Sequence, residues 1–538
     1  MNNQLIYNVE DRPKFPKLLV FALQQVLAVM AATILVPAII GLPTQMPAAI
    51  LGAGVGTLVY LLFTKFKSPV VISSSFAFLA PLSVALAFGY CGIIVGAILA
   101  GLVYCVLALI IHFAGTKWVS KLMPPVIIGP TVALIGLSLA PNAIADITTA
   151  TGAAVNGGYN LVALLCGLVT FFTVIICSCQ KRFKSLKLIP FIIGIGAGYI
   201  LASIFSAIGY GANVEYLKII NWQPLVTNFV VDGKFTGITA FLNYPDFALI
   251  EAIKEMVNGS VGPEILAASG GAGQVLTGAG FGEIALAFIP VALVVFAEHI
   301  ADHKNLGSII NRDLVEGEPG LKRTLLGDGV GSIAGTIFGI CPNTTYGESV
   351  GCVAITRNAS VTTILTAAIM CVVLSFLSPI MALLQTIPNC VMGGVCLTLY
   401  GFIAVSGLKM FKEVDLNDNK NLFTVSAILI AGIGGLAIQI PYRLAENGAV
   451  TNAITITSIA TALILGICTY AVLNALEKKE GRDADGEPES LVAGAVAPDA
   501  TYEVGKSVVK EEAAAPAEEE VFEIEEVEEA AEAPADEQ

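Results

Sequence analysis

The chain alternates long apolar runs with short polar stretches. Ten runs approach or exceed the ~20 residues that an α-helix needs to cross a bilayer: 16–40, 46–63, 91–113, 161–177, 188–207, 284–301, 325–340, 361–377, 422–440 and 453–473. Four shorter or interrupted runs lie among them: 70–86, 125–140, 344–356 and 390–405. The pattern predicts an all-α polytopic membrane protein with fourteen transmembrane segments.

The fourteen segments divide into two sets of seven whose irregular members correspond. The third segments, 70–86 and 344–356, are both broken by polar residues. Each fifth segment has a proline five residues before a glycine: Pro124 and Gly129, Pro388 and Gly393. Because seven is odd, the two sets must cross the membrane in opposite orientations. Inverted repeats with broken segments at matching positions indicate a transporter with its substrate site near the bilayer midplane.

This repeat divides the chain into five regions. They are a cytoplasmic N-terminus (1–15), a first inverted repeat (16–207), an extracellular insertion (208–283), a second inverted repeat (284–475) and an acidic cytoplasmic tail (476–538). The insertion includes a candidate amphipathic helix, DFALIEAIKEMV, and is assigned no function. The tail is rich in Ala, Pro and Glu, which predicts disorder because such a segment buries too little apolar surface to fold.

Composition and charge agree with a membrane location. Hydrophobic residues make up 56% of the chain and charged residues 13%, far from the averages of soluble domains. The net charge of -14 belongs to the tail, since 477–538 holds 21 of the 42 acidic residues and 5 of the 28 basic ones. With the N-terminus inside, only four basic residues fall outside: Lys218, Lys234, Lys254 and Arg443. This bias predicts cytoplasmic termini.

Ionisable residues at membrane depth are the candidates for function, because each costs about 2.5–3.5 kcal/mol on insertion scales. Glu298 and Asp302 lie four residues apart in the eighth segment and therefore share one helix face. His299 and His303 form a second pair about 100° round the helix. Neither these histidines nor the eleven cysteines have the spacing of a metal site, so no metal is assigned.

The tenth segment contains a third carboxylate, Glu348, in the stretch CPNTTYGESVG. Pro342 and Gly347 favour an extended backbone there. The stretch VVISSSFAF of the third segment is rich in β-branched residues, so the two segments are expected to form short antiparallel strands. Helices that follow the strands would point their positive ends at the centre. Carboxylate acceptors and backbone donors together suit a planar molecule with N–H and C=O groups, such as a nucleobase.

Four ordered motifs carry a family resemblance: LQQVLAVMAATILVP, SSSFAF, VVFAEH and PNTTYGESVGCVAITR. With them the sequence resembles the nucleobase:cation symporter-2 family, also called nucleobase-ascorbate transporters, and within it the uracil permeases. The resemblance implies a core domain of segments 1–4 and 8–11 and a gate domain of segments 5–7 and 12–14. It also implies a proton symporter of alternating access, a homodimer, and no cofactor or nucleic-acid partner.

The resemblance also assigns roles to residues of this sequence. Glu298 and Glu348 would accept the N–H groups of the base, and backbone groups of Ala32, Phe76 and Gly347 would complete the site, with Tyr346 nearby. Proton coupling would involve Glu298 and Glu348, together with Asp302 by the hypothesis that follows. His299 and Ser349 are accessory candidates. Glutamate rather than glutamine at position 348 favours uracil over xanthine or urate.

Two positions depart from the family pattern. Ser349 stands where the signature has asparagine, and Asp302 stands where uracil permeases carry a histidine linked to proton coupling. The hypothesis is that Asp302 takes over that role by exchanging a proton with Glu298. The alternative is a solvated aspartate near the inner boundary. Sodium as the coupling ion also stays open.

Three other functions are alternatives to uracil:proton symport. A purine permease of the same family would take xanthine in place of uracil. An anion transporter of the same fold would need a cationic or neutral pocket at Glu348. An intramembrane aspartyl protease would need two facing aspartates, and only Asp302 is a candidate; no enzymatic activity is therefore expected.

Overall fold

A computed structural model describes residues 5–149, 159–180, 190–271, 273–444 and 450–484. The chain divides into two compact units, 1–477 and 478–538. Of the second unit only 478–484, the end of the last helix, lies in the described range. The basic run KRFKSLK and the remainder of the acidic tail fall outside the described residues, so the expectation of disorder is not tested.

The described chain is predominantly helical. In chain order the helices are α1 (Phe15–Ile39), α2 (Met46–Phe63), α3 (Leu79–Leu86), α4 (Gly89–Ala114), α5 (Lys117–Leu122), α6 (Pro125–Thr148), α7 (Leu161–Cys179), α8 (Pro190–Gly211), α9 (Gln223–Phe229), α10 (Ala248–Asn258), α11 (Pro263–Ala268), α12 (Gly278–Ile310), α13 (Leu321–Phe338), α14 (Gly347–Thr356), α15 (Val361–Ser375), α16 (Ser378–Gln385), α17 (Asn389–Lys409), α18 (Asn419–Ile433) and α19 (Ser458–Ala484). The strands are β1 (Ile72–Ser74), β2 (Val230–Val231), β3 (Lys234–Phe235), β4 (Asn343–Thr345), β5 (Ile438–Leu444) and β6 (Val450–Ile456). They pair as three two-stranded antiparallel sheets.

Nine stretches of the described chain are helical, long and apolar enough to cross a membrane. Three shorter apolar helices accompany them: α15, α18 and the continuous stretch Phe76–Leu86, which joins a 3₁₀ turn to α3. The protein is therefore a helical polytopic membrane protein. Two faces of the bundle are used below. The basic face is the end at which α1 begins and α2 ends, and the opposite face is the end at which α1 ends.

The structure corrects several segment boundaries. The fifth segments were expected to be short or interrupted, but α6 and α17 are continuous helices of 24 and 21 residues. Helix α6 runs through Pro130 and Pro141, since a proline removes only one backbone donor and the packed neighbouring helix supports the turn. Helix α12 begins at Gly278, so its first turns belong to the stretch assigned to the insertion. A β5–β6 hairpin separates α18 from α19.

Strands β1 and β4 pair near the middle of the bundle, and this paired region is named the strand crossing below. Ile72 pairs with Thr345 and Ser74 pairs with Asn343 in an antiparallel register. A helix follows each strand almost at once: a 3₁₀ turn that leads into α3 begins at Phe76, and α14 begins at Gly347. Both helices therefore present N-terminal backbone N–H groups close to the strand crossing.

Polar side chains of neighbouring helices hold the two strands in place. The Asn343 amide donates to the Gly52 carbonyl oxygen of α2 at 2.8 Å. Gly52 leaves no room for a Cβ beside Gly335 of α13, so the two helices approach closely enough to hold this amide. The Thr57 hydroxyl accepts from the Ile72 N–H at 3.1 Å and donates to the Ile72 carbonyl oxygen at 3.0 Å. Both strands are thus fixed to α2.

The insertion between α8 and α12 is a folded unit that packs on the opposite face. Its α10 is the amphipathic helix expected from the sequence. The Glu255 carboxylate of α10 accepts from the Tyr90 N–H at the start of α4 at 2.8 Å and from the Gly262 N–H at 3.4 Å. The Gln274 N–H donates to the Ala87 carbonyl oxygen at 2.8 Å. These bonds tie the insertion to the end of α3 and the start of α4.

Candidate functional site

A cavity of about 530 Å³ extends from the strand crossing to the basic face. Its inner end is lined by residues of the crossing, among them Ser75, Phe76 and the run 344–348. Its outer end is lined by residues at helix ends on the basic face: Ser178, Pro190, Ile309, Ile355 and Lys409. A cavity of this size is in the usual range for a small-molecule site. The lining therefore places a ligand-sized chamber beside the broken segments, and this chamber reaches the basic face.

Glu298 and Glu348 line this chamber from two elements, α12 and the first turn of α14. Both side chains are half-buried. Within the described part of the chain, neither carboxylate has a side-chain hydrogen-bond partner. Buried carboxylates are normally paired, so two that face a cavity without partners are suited to a ligand with N–H donors.

Asp302 lies one turn after Glu298 on the same face of α12 and also lines the cavity. Its side chain is only 7% exposed, which excludes the alternative of a solvated aspartate at the membrane boundary. The Thr345 hydroxyl donates to Asp302 Oδ2 at 2.9 Å. A Cβ placed on Gly347 would lie 3.8 Å from Asp302 Oδ1. Asp302 therefore touches strand β4 where α14 begins.

The other face of α12 packs against protein. His299 Nδ1 lies 2.7 Å from Asp328 Oδ2, and His299 Nε2 lies 3.0 Å from Thr324 Oγ1, both on α13. His303 Nδ1 donates to the His299 carbonyl oxygen at 2.8 Å, and its Nε2 lies 2.8 Å from the Tyr60 hydroxyl. The side chain of His303 is buried. His299, an accessory candidate, does not line the cavity.

Tyr346, Gly347 and Phe76 complete the inner end of the chamber. The Tyr346 hydroxyl donates to the Ser74 carbonyl oxygen and so joins the two strands. Gly347 is the first residue of α14 and is exposed to the cavity. The Phe76 ring contacts the Tyr400 ring of α17 edge to face, with centroids 5.3 Å apart. The Phe76 ring is therefore an apolar wall of the chamber.

Ala32 and Ser349 lie away from the chamber wall. Ala32 is fully buried in α1, and Ala28, one turn earlier, lines the cavity instead. The Ser349 hydroxyl donates to Gln25 Oε1 and accepts from the Val71 N–H, both at 3.0 Å. Ser349 therefore joins α1, the third segment and α14 behind the cavity.

Three residues at or beside the site were not predicted from the sequence. Asp328, buried in α13, is the partner of His299; an aspartate between glycines inside the apolar run 325–340 was the available signal. Asn305 lines the cavity one turn beyond Asp302. Lys409, on the last turn of α17, lines the mouth of the cavity. Only the fold could bring Lys409 to this position.

The chemistry of the chamber is that of hydrogen-bond recognition. Glu298 and Glu348 supply acceptors, and the N-terminus of α14 supplies donors. Ser75 Oγ is buried and has no hydrogen-bond partner in the described protein, so it adds a free hydroxyl to the wall. Within the described residues no group of three metal-ligating side chains is placed to hold a metal ion. The site fits a small polar ring held between apolar walls.

Comparison with known proteins gives three sets of relatives. The sequence profile of the Permease family, which covers xanthine and uracil permeases, matches residues 16–232 and 278–440. The uracil permease of Bacillus caldolyticus is 36% identical over 477 residues, covering 88% of this chain and 95% of that protein. The uracil permease of Bacillus subtilis is 35% identical (84% and 92% covered) and that of Escherichia coli K12 is 33% identical (80% and 88% covered).

A solved structure shows the same fold. Murine solute carrier 26 family member A9, an anion transporter in the inward-facing state, matches with a TM-score of 0.55 at 11% identity. The match covers 87% of this chain and 69% of that one. At this identity the likeness concerns the fold alone.

Proposed function

This chain belongs to the permease family of nucleobase:cation symporters, and from that premise we propose that it is a secondary active transporter that imports uracil together with protons. The proposal rests on one observation above all. Glu298 and Glu348 face one cavity from two elements, beside the N-terminus of α14. Uracil carries N–H and C=O groups on its rim, so both carboxylates and backbone donors would be satisfied together. The relatives named uracil permease support this choice of base.

Fourteen transmembrane segments in two inverted repeats, with core and gate domains, form part of the proposal. The third and tenth segments would be β1 with α3 and β4 with α14, which meet as antiparallel strands. The likeness to the solute carrier 26 structure supports a transporter fold of this kind. The chamber wall includes α12 and α14 of the proposed core and α6, α8 and α17 of the proposed gate. Relative movement of the two groups would open and close the chamber.

The state of the structure in this scheme is inward-facing. The cavity reaches the basic face, which by the bias of lysine and arginine is the cytoplasmic one. Both termini would then be cytoplasmic and the insertion extracellular, in the cell membrane. A homodimer completes the proposal and rests on the family resemblance.

Proton coupling is assigned to Glu298, Asp302 and Glu348. Asp302 supports this role because it lines the same cavity as the two glutamates and bonds to Thr345 of β4. A proton on Asp302 would change the charge beside Glu298 and the start of α14, where the base binds. Transfer of a proton between Asp302 and Glu298 would thereby couple proton passage across the membrane to the passage of uracil.

Transport in reconstituted vesicles tests this function. The purified full-length protein in proteoliposomes should accumulate labelled uracil when the interior is alkaline, and collapse of the pH gradient should abolish accumulation. Replacing sodium with potassium distinguishes proton from sodium coupling. Unlabelled uracil should compete more strongly than xanthine, whereas preference for xanthine would identify a purine permease. Chloride or sulfate flux without uracil transport would contradict the proposal and favour an anion transporter.

A further inference from the structure

A second cavity, of about 630 Å³, lies on the basic face outside the transport chamber. Three stretches form it: the loop after α2, the end of α4 with the loop that follows, and the loop before α13. Five basic and two acidic side chains line it, which leaves three positive charges: Lys65, Lys67, Lys117, Lys322, Arg323, Glu316 and Glu318. This concentration of charge in one concave site is named the basic groove below.

The positive charges of the basic groove are largely uncompensated. Lys67 forms an ion pair with Glu318. No carboxylate oxygen of a described residue lies within 4.0 Å of the other four cationic groups. The Lys67 ammonium lowers the pKa of Glu318, and Lys65 and Arg323 lower it further. The cations therefore act on one volume, and an anion placed in it would be attracted by several of them.

Exposed apolar side chains at the ends of two helices surround the groove. Leu62 at the end of α2 is 64% exposed, and Phe113 at the end of α4 is 80% exposed. Ile110, one turn before Phe113, is exposed as well. Trp118 follows in α5, next to Lys117 of the groove. Aromatic side chains next to lysines at the end of a spanning helix are typical of the headgroup region.

We propose that the basic groove binds the headgroup of an anionic phospholipid, with the acyl chains lying along the exposed apolar ends of α2 and α4. The occupant is a lipid rather than a free phosphate because the cations and the exposed apolar side chains adjoin one another. Basic pockets between helices on the cytoplasmic side are established as lipid headgroup sites in other membrane proteins. The lipid would join the loops at the ends of α2, α4 and α13, and α2 and α13 pack against strands β1 and β4.

Lipid titration of the purified full-length protein tests the proposal. Native mass spectrometry would follow binding of dioleoyl phosphatidylglycerol, with dioleoyl phosphatidylcholine as the zwitterionic probe. The variant K65Q/K322Q/R323Q removes three charges and keeps the Lys67–Glu318 pair. It is expected to bind phosphatidylglycerol about a hundredfold more weakly. The control K14Q/K17Q/K412Q removes three exposed charges from the same face outside the groove and should bind within about twofold of the parent.

Three outcomes would overturn the proposal. Equal binding of the two lipids would remove the role of the headgroup charge. An equal loss in the control variant would mean that general attraction to the basic face, not the groove, holds the lipid. Displacement of phosphatidylglycerol by inorganic phosphate at equal concentration would identify a free anion as the occupant. Thermal unfolding of each variant shows whether the substituted protein is folded, so a weaker signal cannot arise from misfolding.

Discussion

Glu298 and His299 are neighbours on α12, yet they face opposite surroundings. Glu298 lines the chamber and has no side-chain partner in the described protein, whereas His299 is bonded to Asp328 and Thr324. The same contrast recurs one turn later. Asp302 faces the chamber with one bond to Thr345, and His303 is enclosed between Tyr60 and the α12 backbone. One helix therefore carries a ligand-facing row and a packing row.

The difference teaches that burial alone does not identify a functional group. His299 and Asp328 are more deeply buried than Glu298, but their bonds are made within the protein. A buried group that has its partners stabilises the fold, and a group that lacks them is available to a ligand. The predictions below vary the two rows separately, so that binding and stability should respond to different substitutions.

The largest effect is expected from removing both glutamates of the ligand-facing row. A hydrogen bond to a carboxylate contributes about 1.5–3 kcal/mol, so E298A/E348A should lose about 3–6 kcal/mol of uracil binding. That corresponds to a factor of about a hundred or more in Kd. Isothermal titration of the purified protein measures it. E413A, which removes an exposed glutamate outside the chamber, is the control. Normal uracil binding by the double variant would show that the assigned site is wrong.

The packing row should respond in stability instead. D328A leaves the buried His299 Nδ1 without its partner at 2.7 Å, which should lower the free energy of unfolding by about 1–3 kcal/mol. Because Asp328 does not line the chamber, uracil affinity of the folded fraction should stay within about threefold, less than 1 kcal/mol. Thermal unfolding and uracil titration on one preparation separate the two. A large loss of uracil affinity at unchanged stability would contradict the assignment of His299 and Asp328 to packing rather than to ligand binding.

Asp302 should affect coupling rather than binding. D302N keeps the size of the side chain but removes the proton exchange proposed for it. Uracil binding should remain within about threefold of the parent, since Asp302 is not one of the two principal ligands. Accumulation driven by a pH gradient in proteoliposomes should fall to equilibration. N305D adds a carboxylate one turn beyond Asp302 in the same chamber and serves as a charge control. Unchanged accumulation by D302N would contradict the role of Asp302 in proton coupling.

The sequence predicted the two faces of α12 because i and i+4 spacing fixes which residues share a face. It could not predict their partners. Asp328 lies 29 residues from His299 in sequence and reaches it only because α13 packs beside α12. Lys409 reaches the chamber only because α17 ends on the same face. Such long-range contacts have no local signal in the chain.

The fold shows the same limit. Helices of spanning length were predictable from apolar runs alone, since a bilayer requires about 20 such residues. The fifth segments, predicted as short or interrupted, are continuous helices, because α6 packs against α17 closely enough to continue through Pro130 and Pro141. The residues of the site were found where a charge interrupts an apolar run. Those held by packing, such as Ser349, received a role that the geometry does not support directly.

Ser349 of α14 gives a smaller test, because its hydroxyl, like the packing row of α12, is bonded within the protein. S349A removes the hydroxyl that donates to Gln25 and accepts from the Val71 N–H. The free energy of unfolding should fall by about 1 kcal/mol, with uracil selectivity over xanthine unchanged. S349T keeps a hydroxyl and should retain part of that stability. A changed selectivity in S349A would instead show that residue 349 influences ligand recognition, as the ligand-facing row of α12 does.

The smallest effect concerns Glu255 of the insertion, a buried carboxylate whose partners are backbone N–H groups of Tyr90 and Gly262. Burial raises the pKa of Glu255, and the backbone donors offset only part of that increase. Because the folded pKa exceeds the unfolded one, the native state holds the proton more tightly. This stabilisation is complete below about pH 4.5 and declines as pH rises through the folded pKa.

Unfolding free energies measured across this range should therefore fall with rising pH, and E255Q should flatten the slope because its amide does not ionise. D232N, in the exposed turn between β2 and β3 of the same insertion, changes the net charge equally without touching Tyr90, Gly262 or Glu255, so it should keep the slope. A slope that E255Q leaves intact would mean that another group dominates the pH dependence of the insertion. A flattened slope would instead show that Glu255 behaves like the packing row of α12. It would be a buried group, partnered by protein, that contributes to stability rather than to uracil binding.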